Sequence, residues 1–190
     1  MPRPHDRKRL RAVQGRALVS AALLALTGAL ALPALAGATV TPAPGTATFE
    51  GQPINLAAGW GGAHACLVKG PSDVQCFATP AEMKAAIAAS NTSAAAASPT
   101  TACGGGALYL YKGSYFSGNE LAIESYGFWV NLSDYGFAGA LGSWDNATSC
   151  DAYVATGTYG SGSLLPLPSY DFSYTVSSPW STTTNSAYIA

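Results

Sequence analysis

Leu121-Ala-Ile-Glu-Ser-Tyr126-Gly-Phe128 returns as Leu165-Pro-Leu-Pro-Ser-Tyr170-Asp-Phe172, 44 residues further on. Self-similarity at a fixed offset marks two copies of one structural unit. The pattern extends outward from these segments. Ser143-Trp144, late in the first copy, matches Ser186-Ala-Tyr188, late in the second, with a slip of one residue. Two units of about 42 residues therefore fill the chain from Gly106 to Ala190.

The first unit begins with Tyr111-Lys-Gly-Ser-Tyr-Phe116-Ser-Gly118. An aromatic, a tight turn and a second aromatic before glycine predict a folded-over hairpin. Its rings stack, and Gly118 takes a backbone conformation costly to other residues. In the second unit the same spacing is read as Tyr153, Thr158 and Gly160, without the second aromatic. Asn131-Leu-Ser-Asp-Tyr-Gly-Phe137 is expected to cross toward a last strand around Ser143 to Thr148. All ten tyrosines and three of the four tryptophans lie beyond residue 108. Short strand-like runs alternate there with turn signals, the pattern of an all-β sandwich.

Upstream, residues 1–36 read as a secretory signal peptide. Arg3, Arg7, Lys8, Arg9, Arg11 and Arg16 precede an apolar run that ends at Pro33 and Ala34-Leu35-Ala36. That run is shorter than the ~20 residues of a spanning helix. A flexible lead-in follows over 37–48, small, polar and Pro-punctuated. The block 49–89 carries a hairpin whose loop is Gly70-Pro71-Ser72-Asp73, and then a helix to about Ala89. Thr79, Pro80 and Glu82 form its capping box. Residues 90–102, rich in Ser, Thr and Ala, read as a linker before the domain over 103–190.

Removing the signal changes the charge. Lys69, Lys84 and Lys112 remain against nine acids, a net charge of −6. Three cations cannot build the footprint that nucleic-acid binding requires, and attraction to an anionic membrane fails for the same reason. The four cysteines, Cys66, Cys76, Cys103 and Cys150, are an even set in an exported chain and point to disulfides, with three connectivities possible. Cys66 and Cys76 flank the hairpin, so a bond across it is the natural pairing. No second ligand pair beside His64 and Cys66 has metal-site spacing.

Aromatic-x4-aromatic-x-Gly followed by a late serine resembles the motif of the βγ-crystallin family: here Tyr111, Phe116, Gly118 and Ser143. The likeness covers about 85 residues and is closest to a secreted bacterial branch that includes metallopeptidase inhibitors. It implies an all-β, double Greek-key sandwich, preceded here by a small hairpin-plus-helix element. It implies a bond between Cys103 and Cys150. It also implies a non-catalytic extracellular protein, a peptidase inhibitor in the sharpest form, whose partner is an extracellular protease or another protein. The alternatives are a binding or structural module for a glycan or protein, or an exported antimicrobial protein.

The family's calcium motif is degenerate here. Ala138, Gly139 and Gly142 precede Ser143 in the first unit. Ser181, Thr182 and Asn185 precede Ser186 in the second. Carboxylate charge sets much of calcium affinity, so no tight site, no metal and no cofactor are expected. His64 is the one histidine of the mature chain, and no Gly-x-Ser-x-Gly elbow accompanies it. Glu120 with Glu124, or Asp145 with Asp151, are the carboxylate pairs available for catalysis. Glu120 and Glu124 are an even number of positions apart in an expected strand and so share one face, and the plainer reading is a solvated face. The expectation is a secreted, monomeric, non-enzymatic protein.

Overall fold

The computed structural model describes residues 43, 45–97, 103–104 and 106–190. The expected signal peptide, most of the lead-in and the end of the expected linker lie outside the described residues. The N-terminal block forms β1 (Thr46–Phe49), β2 (Gln52–Asn55), β3 (Ala65–Gly70), β4 (Asp73–Phe77) and α1 (Pro80–Ala97). β1 starts inside the stretch read as a lead-in. It pairs with β2 through the turn at Glu50 and Gly51, both at positive φ.

The hairpin β3–β4 turns at Gly70-Pro71-Ser72-Asp73, and Cys66 faces Cys76 directly across it, disulfide-bonded. The helix opens on a reciprocal capping box. The Glu82 amide donates to Thr79 Oγ1 at 3.3 Å and the Thr79 amide to Glu82 Oε2 at 3.3 Å. It ends at Ala97 rather than near Ala89, well into the expected linker. The hydroxyls of Ser90 and Thr92 donate to the carbonyls of Ala86 and Ala88 one turn back. Their polar groups are thereby absorbed within the helix, and the alanines beyond favour its continuation.

The first repeat contributes β5 (Leu108–Tyr111), β6 (Glu120–Ile123), β7 (Val130–Asn131) and β8 (Ser143–Asn146). The second contributes β9 (Ala152–Ala155), β10 (Leu164–Leu167), β11 (Asp171–Ser173) and β12 (Ser186–Ile189), with the short helix α2 (Trp180–Thr183) before the last strand. Each repeat gives its third strand to the other's sheet. One sheet runs β11-β8-β5-β6 and continues as β3-β4-β1-β2; the other runs β10-β9-β12-β7. That exchange makes the two units a double Greek key. The architecture is an all-β, βγ-crystallin-like sandwich with a small helical element.

The N-terminal block extends this fold as well as preceding it. β3 pairs in parallel with β6, Ala65 opposite Glu120 through Val68 opposite Ile123. Ala47, Leu56, Trp60, Cys66 and Val68 enter the same core as Leu108, Leu110, Leu121, Phe137, Val154 and Ile189. The Trp60 indole donates to the Tyr135 carbonyl at 2.7 Å.

On the outer face of the large sheet, Met83 and Ile87 of α1 pack on Ala65, Leu67, Tyr109 and Ala122. β5 is therefore buried at all four residues. A sheet covered on both faces loses the polar–apolar alternation of a half-solvated strand.

The hairpins of the two repeats superimpose at an offset of 44, which corrects the reading of the second unit. Gly113 donates to the Ser117 carbonyl at 2.8 Å, and Gly157 to the Ser161 carbonyl at 2.8 Å. Phe116 therefore corresponds to Gly160, Gly118 to Gly162 and Tyr111 to Ala155. Tyr153 and Thr158 are not the counterparts of Tyr111 and Phe116. Gly113-Ser-Tyr-Phe-Ser-Gly118 against Gly157-Thr-Tyr-Gly-Ser-Gly162 carries this register openly.

The late serines confirm it. Ser143 Oγ accepts from the Phe116 amide at 2.9 Å and donates to the Gly113 carbonyl at 2.7 Å. Ser186 Oγ accepts from the Gly160 amide at 3.0 Å and donates to the Gly157 carbonyl at 2.7 Å.

Candidate binding face

The outer face of the large sheet is half covered. α1 shields β3, β6 and part of β5; beyond it the sheet continues to the edge strand β11 with aromatic side chains in place of a covering element. Cross-strand register puts Tyr111 opposite both Glu120 and Ser143, Tyr109 opposite Asp145, and Asp145 opposite Phe172. Residues opposite one another share a face. Tyr109, Tyr111, Glu120, Asp145 and Phe172 thus form one surface.

Onto this surface the first hairpin folds Tyr115 and Phe116. Both are non-glycine residues in the left-handed region, at φ 57° and 58°. Each such residue costs about 1–2 kcal/mol, and such strain persists only where surrounding structure imposes it. Here Ser143 holds the Phe116 amide, and the Tyr115 amide donates to the Tyr174 carbonyl at 2.7 Å.

The rings lock together. Phe116 lies 5.2 Å from Tyr111, 6.0 Å from Phe172 and 5.1 Å from Tyr174 between centroids. Phe172 meets Tyr174 edge-on at 5.0 Å, and Tyr115 stacks on Tyr174 at 6.0 Å. Yet Tyr115 is 74% exposed, Tyr174 50% and Phe172 48%. Contiguous aromatic exposure of this kind marks an interaction surface.

Carboxylates sit at its inner margin. Glu120 is 2% exposed, against the expectation of a solvated acid: α1 covers it, and Lys84 reaches it at 3.4 Å. The Tyr111 hydroxyl donates to Glu120 Oε1 at 3.3 Å. Burial pushes the Glu120 carboxyl above the ordinary range, against the opposing pull of Lys84 and of that hydrogen bond. Burial also raises Asp145, opposed by Lys84. Tyr109 is pushed up to about 12, and Tyr111 higher still, by burial and then by the charge of Glu120. Both phenols are neutral at physiological pH.

The remaining candidate residues do structural work. Glu124 follows β6, half-buried, and its Oε1 is buried without a partner among the described residues. Asp151 Oδ1 accepts from the Ser169 amide at 2.9 Å, remote in role from Asp145. His64 is exposed, and its backbone joins β4 to β6: its amide donates to the Phe77 carbonyl, and its carbonyl accepts from the Glu120 amide.

Around the degenerate calcium motifs, the Gly139 amide donates to the Thr184 carbonyl and the Gly142 amide to the Tyr111 carbonyl, while Ala138 bears no donor side chain. Ser181 is the second residue of α2, Thr182 Oγ1 donates to the Pro179 carbonyl, and Asn185 Nδ2 donates to the carbonyls of Thr156 and Thr183. Among the described residues no three His, Cys, Asp or Glu side chains come together as a metal site.

Cys103 is bonded to Cys150. The bond closes a corner, Asn146–Asp151, that is also stitched from within. Asn146 Nδ2 donates to the carbonyls of Cys150 and Leu167, and Thr148 Oγ1 donates to Asn146 Oδ1 at 2.7 Å. Both disulfides belong to an oxidising compartment. Among the described residues no helix is long and apolar enough to cross a membrane.

No known protein family and no curated protein matches the chain. Among the solved structures that match, two are similar over 45% of it. One, described as "Evolution of the eye lens beta-gamma-crystallin domain fold", is covered over 86% of its length at 17% identity with a TM-score of 0.40. The other, a beta gamma crystallin from Ciona intestinalis, is covered over its full length at 21% identity with a TM-score of 0.37.

Proposed function

We propose that this protein is a secreted, non-catalytic binding module, and that the aromatic face on β5, β8 and β11 is where it meets an extracellular protein. The observation that carries this is the locked cluster of exposed Tyr115, Phe172 and Tyr174 around the partly buried Phe116. Rigid tyrosines and phenylalanines give large contact area at little entropic cost, and tyrosine is enriched among the residues that dominate interface energies. The face spans β5, β8, β11 and the first hairpin, an extent that suits a protein surface better than a small ligand. Asp145 beside it, on a mature chain of net charge −6, favours a partner with a basic rim.

The peptidase-inhibitor form of this reading draws support from a second observation. The corner Asn146–Asp151 is fixed by the Cys103–Cys150 bond and by the Asn146 and Thr148 side chains, with Ser149 exposed between them. A preorganised loop of this kind saves the ordering cost of binding. The test is an inhibition assay against thermolysin-type and subtilisin-type peptidases. Inhibition at a near-stoichiometric ratio, weakened when Ser149 is replaced by a bulkier residue, is the expected result. No inhibition by micromolar protein discards the inhibitor form.

A further inference from the structure

The internal repeat gives the aromatic face a counterpart on the second hairpin, and there the inner ring of the hairpin is missing. Tyr159 corresponds to Tyr115. It takes the same left-handed backbone at φ 51° and is equally exposed at 73%. Gly160 stands where Phe116 stands in the first unit. The space a ring would occupy is taken by Trp129: a Cβ on Gly160 would collide with the indole. Trp129 stacks on Tyr188 at 5.1 Å. Beside it opens a groove of about 340 Å³ lined by Phe128, Trp129, Asn131, Asp134, Tyr135 and Tyr159. This lies at the small end of the range for small-molecule sites, about 300–1,000 Å³.

Its polar groups are placed and unspent. Asn131 is 9% exposed, and its Oδ1 accepts from the Tyr159 amide at 2.9 Å. That fixes the amide's orientation, and Nδ2 is left without a partner among the described residues. Tyr135 is 4% exposed, and its hydroxyl likewise has no partner among them. Burial and then the charge of Asp134 raise that phenol to about 12, so it remains a donor. The Asp134 carboxylate is an acceptor. Glu124 Oε1 is the one buried side-chain polar atom without a partner among the described residues, so the Asn131 amide nitrogen and the Tyr135 hydroxyl reach solvent; with Asp134 they set two donors and an acceptor between aromatic walls, where a ligand's hydroxyls replace water.

We propose that this groove binds one ring of a neutral oligosaccharide. The aromatic walls take the C–H face of a pyranose, and Asn131, Asp134 and Tyr135 take its hydroxyls. None of the three lysines of the mature chain lines the groove, which disfavours uronic acids and phosphosugars.

The test is a titration of the mature protein with cellohexaose, chitohexaose, maltohexaose and xylohexaose, followed by tryptophan emission and by saturation-transfer NMR. Trp60 and Trp144 are buried and the half-buried Trp180 does not line the groove, so the change is assigned to Trp129 by its loss in Trp129→Ala. At least one of the four binds saturably at micromolar to millimolar concentration. Trp129→Ala weakens it at least about tenfold. Tyr135→Phe, which keeps the ring and its packing, weakens it about fivefold. The pair Tyr115→Ser and Tyr174→Ser leaves it unchanged, so this site and the aromatic face stand or fall separately. The proposal is overturned if none of the four binds at millimolar concentration, if a lysine-rich peptide binds the groove and the sugars do not, or if Trp129→Ala and Tyr135→Phe, shown folded by thermal denaturation, bind as the parent does.

Discussion

Ser143 and Ser186 each close a folded hairpin with one hydroxyl, accepting from an amide at its crest and donating to a carbonyl at its base. Ser143→Ala leaves both hairpin groups unmatched at a site with no solvent access. The expected loss is about 2 kcal/mol, or about 4–8 °C in Tm for a domain of this size. A loss below about 1 °C in a thermal melt refutes the role. Glycines separate backbone cost from steric cost. Gly127 and Gly160 have nearly the same positive φ, 80° and 77°, but a Cβ on Gly127 meets nothing whereas one on Gly160 meets the Trp129 ring. Gly127→Ala should cost about 1 kcal/mol, and Gly160→Ala clearly more, as read by urea denaturation. Equal losses contradict the slotting of Trp129. At this scale the sequence was legible where the chemistry is local: Ser143, Gly118 and the capping box announce themselves by spacing. Glu120 did not, because a strand's alternation shows which side a residue is on and not that α1 will lie over that side.

Among the elements, α1 decides how much of the large sheet is left for binding. Met83 and Ile87 are its anchors on Ala65, Leu67, Tyr109 and Ala122. Met83→Ala should cost about 2–4 kcal/mol by transfer and cavity terms. It should also loosen the cover over Tyr109 and Glu120, seen as faster hydrogen exchange in β5 and β6 than in β9 and β12. Unchanged exchange in β5 and β6 contradicts the packing. The double Greek key was readable from Leu121–Phe128 and its copy because repeats report topology at long range. The parallel pairing of β3 with β6 was not, since it joins segments about 55 residues apart that share no pattern. The aromatic face was half readable. Tyr115 and Phe116 stand in the first hairpin motif, but Phe172 and Tyr174 reach them only through the strand exchange that puts β11 beside β8.

Over the whole molecule, charge and burial set the response to pH. Glu120, Glu124 and Asp145 all have carboxyl pKa values raised, chiefly by burial. A group whose folded pKa exceeds its unfolded value adds stability at pH below the unfolded value and loses it as pH rises through the folded value. Protonation also relieves the net charge of −6 carried by residues 37–190. Tm should therefore be higher near pH 4 than near pH 7.5, the reverse of ordinary acid denaturation, and Glu120→Gln should flatten the difference. A Tm that falls steadily toward pH 4 contradicts this. The same acidic surface, with its rings locked in place, is what the proposed binding depends on. The most direct test immobilises the mature protein and measures binding of secreted metallo- and serine peptidases by surface plasmon resonance, alongside a variant carrying Tyr115→Ser, Phe172→Ser and Tyr174→Ser. Saturable binding of at least one peptidase with Kd below about 1 μM is expected, weakened at least tenfold (about 1.4 kcal/mol) in a variant that keeps its Tm. Binding of none of them, or equal binding by the variant, contradicts the proposed binding.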